Sequence, residues 1–121
     1  MTFVIPGQPL SVNRLYGTSR KRKTRFRTHE GTAYKSGAAL LAKVARGGAE
    51  SLRGPVEVHL ALYFRTLASD IDGPVKVLVD ALQAGGVVAN DNQVMKLVVT
   101  KARDKVNPRA EVTVLPMEEV R

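Results

Sequence analysis

Cysteine is absent from the 121 residues, and imidazole is limited to His29 and His59. Neither a disulfide framework nor a thiolate zinc site can be built, so any metal site must be rich in oxygen, which suits Mg²⁺ or Mn²⁺. No uninterrupted apolar run approaches the length of a membrane span, and no basic stretch leading into an apolar one opens the chain. A cytoplasmic protein with no membrane partner is the expectation. Acidic residues are scarce as well: 11 Asp and Glu stand against 19 Lys and Arg, a formal charge of +8. A surplus of that sign points to a polyanionic partner.

What is present suits a folded domain. An apolar fraction of 44% and a charged fraction of 25% argue against disorder. The length predicts one domain over residues 1–121, burying roughly two-thirds of the surface its unfolded chain would expose. The cations are spread unevenly. Residues 1–65 hold twelve Lys and Arg against Glu30, Glu50 and Glu57, whereas residues 66–121 hold seven against eight acids. A binding half is thus separated from a chemical half. The densest run, Arg20-Lys21-Arg22-Lys23-Thr24-Arg25-Phe26-Arg27, has six cations in eight residues and is too self-repelling to order without counter-charge. Residues 14–28 are predicted to be a mobile basic loop in which Arg14, Arg20, Lys21, Arg22, Lys23, Arg25 and Arg27 meet nucleic-acid phosphates, the plainer reading of such a run being a solvated tail or a localisation signal. Neutralising about six phosphates would give the affinity a log–log salt slope of roughly −5. Lys96, Lys101 and Arg103 are further candidates for phosphate contacts.

The hydrophobic pattern predicts an α+β fold, two helices packed on a mixed sheet in the order β-α-β-α-β-β. Thr2 to Ile5 reads as a strand stopped by Pro6-Gly7. Tyr34, Ala38, Leu41, Ala42 and Ala45 recur at helical spacing between a Thr28 N-cap and Gly47-Gly48. Residues 55–64 read as a central strand, since their second half is apolar throughout and takes in Tyr63 and Phe64. A second helix follows, capped by Asp72 and closed by Gly85-Gly86, with Val75, Leu78, Val79 and Leu82 as its buried stripe. Residues 93–103 and 109–115 read as two antiparallel strands joined by a turn at 105–108. His29 is expected at the surface and His59 packed.

Carboxylates inside a surface that binds polyanions repel the ligand unless a divalent cation lies between them. Asp70, Asp72 and Asp91 are such carboxylates, within a segment spanning residues 66–94. If residues 70–72 are extended, side chains at i and i+2 share a face, so Asp70 and Asp72 approach one ion together, and Asp91 returns to it after the helix. Lys76, one helical turn past Asp72, would stabilise charge building on a phosphate or orient the nucleophilic water. Each piece also has a plainer reading. Asp-x-Asp before a helix serves as cap and turn, Asp72, Lys76 and Asp80 at four-residue intervals fit exposed ion pairs, and Asn90-Asp91-Asn92 fits a turn.

Read together, these residues resemble the RusA family of Holliday-junction resolvases, small phage- and prophage-associated endodeoxyribonucleases. Asp70-Ile71-Asp72-Gly73-Pro74-Val75-Lys76, then Asp80-Ala81-Leu82, Gly86 and Asn90-Asp91-Asn92-Gln93-Val94 are similar to the family's Asp-x-Asp-Asn-x-x-Lys, Asp-Ala-Leu, Gly and Asp-Asp-x-Gln-Val pattern. Pro9-Leu10-Ser11-Val12-Asn13-Arg14-Leu15-Tyr16 is similar to its opening. The resemblance implies that Asp70, Asp72 and Asp91 bind Mg²⁺ or Mn²⁺, that Lys76 is the catalytic lysine, and that a homodimer cuts a four-way DNA junction in recombination and repair. Gly73 departs from the family's Asn and Asn90 from its first Asp. Because the essential acid of that pair matches Asp91, Asn90 is expected to tune the site. The departures also admit a non-catalytic junction-binding protein, and the chemistry alone admits a general flap or fork nuclease.

Overall fold

The computed structural model describes residues 1–11, 16–18 and 25–117. Its elements in chain order are β1 (Thr2–Pro6), β2 (Tyr16–Thr18), β3 (Arg25–Arg27), α1 (His29–Arg46), β4 (Val56–Phe64), α2 (Val75–Ala84), a 3₁₀ turn (Asp91–Gln93), β5 (Val94–Arg103) and β6 (Arg109–Pro116). The α+β reading holds: two helices and a four-stranded mixed sheet of order β1-β6-β4-β5, with β4 parallel to β5 and antiparallel to β6. Among the described residues no helix is long and apolar enough to cross a membrane.

β4 alternates buried and half-buried along its length. Val56, Val58, Leu60, Leu62 and Phe64 face one way and join Ala38 and Ala42 of α1, Leu78, Ala81 and Leu82 of α2, and Ala110, Val112 and Val114 of β6 in a single cluster. Burying each of the larger side chains contributes about 1.5–3 kcal/mol. Both helices therefore lie on one face, and β4 is central without being covered on both sides. On its other face, His59 is half-exposed rather than packed, and its ring hydrogen-bonds the Glu57 carboxylate. That bond, helped by Lys96 at 3.7 Å, holds the Glu57 carboxyl below its ordinary range. Lys96 is thus engaged by a carboxylate at the position expected to meet phosphate. Tyr63, expected in the core, instead lies beneath the Arg109 guanidinium, 3.9 Å from its ring centroid. His29 is exposed, as predicted.

α1 begins where the sequence places its cap: the Thr28 hydroxyl accepts the Gly31 N–H at 2.9 Å, and Gly47 ends the helix at φ 61°. The helices cross where side chains are smallest. A Cβ at Gly85 would lie 2.7 Å from the Ala39 carbonyl oxygen and 2.7 Å from the Ala42 Cβ. The buried face of α2 is made by Val77, Leu78, Ala81 and Leu82, with Val75 and Val79 only partly covered. The stripe is rotated from the predicted one because α1 approaches over Ala81 and Gly85, and the rotation leaves Val75 and Val79 for a groove described below.

Two further corrections concern pairing. β5 and β6 are not a hairpin, because β4 lies between them. The connection from Asp104 to Pro108 arches over the end of β4: the Asp104 N–H donates to the Phe64 carbonyl at 2.8 Å, and the Asp104 carboxylate accepts from Asn107 N–H and Arg109. Those bonds hold the Asp104 carboxyl below its ordinary range, the Asn107 amide first. Ala110, Val112 and Val114 are fully buried, which demands a neighbour on each side of β6, whereas the mostly exposed β5 suits an edge. Nor is the 14–28 segment loop throughout. Tyr16–Thr18 pairs antiparallel with Arg25–Arg27, and pairing gives backbone groups the partners a loop would leave to water. Arg14, Arg20, Lys21, Arg22 and Lys23 lie outside the described residues, while Arg25 and Arg27 belong to β3.

Candidate active site

The chain leaves β4 at Phe64 and reaches α2 through a turn. The Gly73 N–H reaches the Asp70 carbonyl at 3.4 Å and the Val75 N–H the Asp72 carbonyl at 3.2 Å, so residues 70–72 are bent, not extended. The helix starts at Val75 with Pro74 at its N-cap and no side-chain capping bond. Asp72 is therefore not the cap. Pro74 is already helical (φ −82°, ψ −9°) and needs no capping side chain to turn the chain inward, which leaves the Asp72 carboxylate unspent. Gly73 makes room for the turn, since a Cβ there would lie 3.0 Å from the Ser11 Oγ.

Bending separates the first two acids. Asp72, Lys76 and Asp91 border a groove of about 520 Å³ whose floor is apolar: Ile71, Val75, Val79, Leu97 and Val99. Asp70 instead lines an adjoining cavity of about 480 Å³ with Ser11, Glu30, Arg65 and Ser69. The Lys76 ammonium lies 3.1 Å from Asp80 Oδ1 and 4.0 Å from Asp91 Oδ2, and Lys35 approaches Asp80 Oδ2 at 3.8 Å. Asp80 thus tethers a lysine whose side chain is 68% exposed.

Asp91 is held by Gln83, Asn90 and Gln93. Its N–H donates to Gln83 Oε1 at the end of α2, 2.9 Å away. Asn90 caps the 3₁₀ turn by accepting the Asn92 N–H at 3.0 Å, and Gln93 completes a capping box. The Gln93 amide also donates to the carbonyls of Leu52 and Gly54 at 2.8 and 2.9 Å while accepting the N–H groups of Ala89 and Asn90. One side chain thus fixes two loops. The Asn90-x-x-Gln93 spacing is a readable capping signal, whereas the reach to residues 52 and 54 is not. Gln93→Ala strands the part-buried Leu52 carbonyl and leaves the three exposed groups to water, and is expected to lower stability by about 1 kcal/mol, read from a denaturant titration.

Among the described residues no three carboxylates or imidazoles converge as a ready-made metal cage. The donor chemistry nevertheless fits a hard divalent cation. Asp72 and Asp91 meet at one groove, Asp70 stands two residues before Asp72, and every donor is a carboxylate oxygen. Of the other predicted phosphate contacts, Arg103 is exposed and Lys101 is bound to backbone carbonyls. A family model described as Endodeoxyribonuclease RusA matches residues 6–115. No curated protein matches the chain.

Proposed function

Because the chain belongs to the RusA endodeoxyribonuclease family, we propose that it resolves four-way DNA junctions by divalent-cation-dependent hydrolysis of phosphodiester bonds, in recombination and repair. The observation that carries this reading is the meeting of Asp72, Asp91 and Lys76 at one groove in a chain of formal charge +8. An acidic notch in a basic chain is unfavourable for DNA unless a cation belongs there. Asp70, Asp72 and Asp91 would hold Mg²⁺ or Mn²⁺, and the bound ion would polarise the scissile phosphate and acidify a water. Lys76, tethered by Asp80, presents an ammonium beside Asp91, where negative charge grows on the phosphate oxygens. The apolar side chains of the groove offer the cation and phosphate no competing ligand, so the carboxylates and Lys76 are the polar groups that line it.

Neither departure from the family pattern removes a carboxylate of the trio. Asn90 performs as a cap the task an Asp would also perform, and Gly73 accommodates the close approach of Ser11. These observations favour an active enzyme over a binding protein that has lost catalysis. Two nicks in strands of like polarity require two sites related by a twofold axis, so a C₂ homodimer is part of the proposal.

Cleavage rates on four-way, flap and fork substrates test the assignment. A preference for the four-way junction is expected, and a preference for flaps would overturn it. Arg22, Lys23 and Arg25 are proposed phosphate contacts. Replacing all three with Ala is expected to weaken junction binding and flatten its log–log salt slope by roughly 2–3, and an unchanged slope would remove them from the interface.

A further inference from the structure

We propose that Lys101 is a positioning residue for Asp70, stapling the loop between β4 and α2 to the edge strand β5. The inference rests on the nuclease reading for the role of Asp70 but on geometry for the staple. Lys101 stands in register with Leu62 of β4, and its ammonium donates to the Leu67 carbonyl at 3.1 Å and the Ser69 carbonyl at 2.9 Å. Those carbonyls belong to the residues just before Asp70. Between Arg65 and Ala68 the loop is exposed at every residue, and Leu67 keeps 54% of its surface in water. Among the described residues its other side-chain ties lie at its start: Gln8 Oε1 accepts the Arg65 N–H at 2.9 Å, and the Thr66 hydroxyl lies 3.4 Å from the Ala68 N–H.

A cation placed to meet DNA keeps its donors directed at solvent. Lys101 instead commits two of its three donors to carbonyls of its own chain. Asp70 gains no fixed position from the core, being an exposed turn residue. The Gly73 N–H holds the Asp70 carbonyl at 3.4 Å on one side, and on the other the placement of Asp70 depends on how firmly residues 67–69 are held; a displacement of about 1 Å at a reacting centre costs on the order of a hundredfold in rate.

Lys101→Met keeps the apolar stem and removes the ammonium. Three quantities decide: backbone ¹⁵N order parameters over residues 66–70, the salt slope of four-way junction binding without divalent cation, and the single-turnover cleavage rate at saturating protein with Mg²⁺. The expected result is a fall in order parameter from a rigid value of about 0.85 to below about 0.6. The salt slope should be unchanged, and the cleavage rate should drop roughly tenfold to a hundredfold. A salt slope reduced by about one, with order parameters and saturating rate unchanged, would make Lys101 a phosphate contact and overturn the proposal. If the wild type fails to cleave DNA at all, the nuclease reading falls, while the order parameters still decide whether Lys101 holds the loop.

Discussion

Asp91→Asn is expected to lower the single-turnover rate of junction cleavage by about a thousandfold while leaving the melting temperature and junction affinity near wild type. The asymmetry follows from how this residue is built into the protein. Its backbone carries the structural load, through the N–H bond to Gln83 and the capped turn between Asn90 and Gln93. Its carboxylate is 40% exposed at the groove, with the Lys76 ammonium 4.0 Å away. The amide is isosteric, so the turn survives, and what disappears is one negative charge among the proposed cation ligands. Were Asp91 only a turn residue, the change would leave cleavage intact, because Asn suits a turn equally well. Junction affinity measured without divalent cation separates lost catalysis from lost binding.

The second large effect is on stability. Gly85→Ala is expected to destabilise the fold by about 1–3 kcal/mol, lowering the melting temperature by roughly 5–10 °C. The new methyl would be 2.7 Å from both the Ala39 carbonyl oxygen and the Ala42 Cβ, and 3.0 Å from the Lys43 nitrogen. Two of these three atoms are backbone of α1, which cannot rotate aside as the end of a flexible side chain can. Room is made only by moving the helices apart, across a contact where Ala38 and Ala42 are fully buried. Ordinarily Gly→Ala at a helix end is neutral or stabilising, so the sign of the change tests the close crossing. The site should feel it too. Gln83 and Asp80 on α2 reach Asp91 and Lys35, so a shifted helix loosens the hold on Asp91 and the ion pair between Asp80 and Lys35 together.

The parts of this protein that were legible in sequence are those whose causes are local. Thr28, the Ala38–Ala42 spacing and Gly47 define α1 within one stretch of chain, and Gly85-Gly86 closes α2 in the same way. The apolar run within residues 55–64 marks β4 as a strand, and the acids and lysine stand out against a basic background. What escaped was set by distant partners. Residues 70–72 were expected to be extended, but Ser11 approaches Gly73 from sixty residues away and the chain bends there, so Asp70 and Asp72 open onto different cavities. The turn at residues 105–108 predicts a hairpin of β5 and β6. Buried Val112 and Val114 instead required β4 beside them. Lys101 was assigned to phosphate from its charge, since nothing nearby in sequence reveals that it meets the carbonyls of Leu67 and Ser69. Gln93 was visible as part of a motif, but its hold on residues 52 and 54 depends on where another loop returns.

A four-way junction extruded in a supercoiled circular DNA puts catalysis, cation dependence and paired nicking into one reading. Paired nicks across the junction convert the circle to a linear molecule, whereas a single nick only relaxes it. Purified wild-type protein with Mg²⁺ is predicted to yield linear product, and to leave the circle intact when the cation is chelated or when Asp70 is replaced by Asn. Linear product formed equally by wild type and Asp70→Asn, or an uncut circle with wild type in Mg²⁺ and in Mn²⁺, would contradict a carboxylate-held cation acting at a junction.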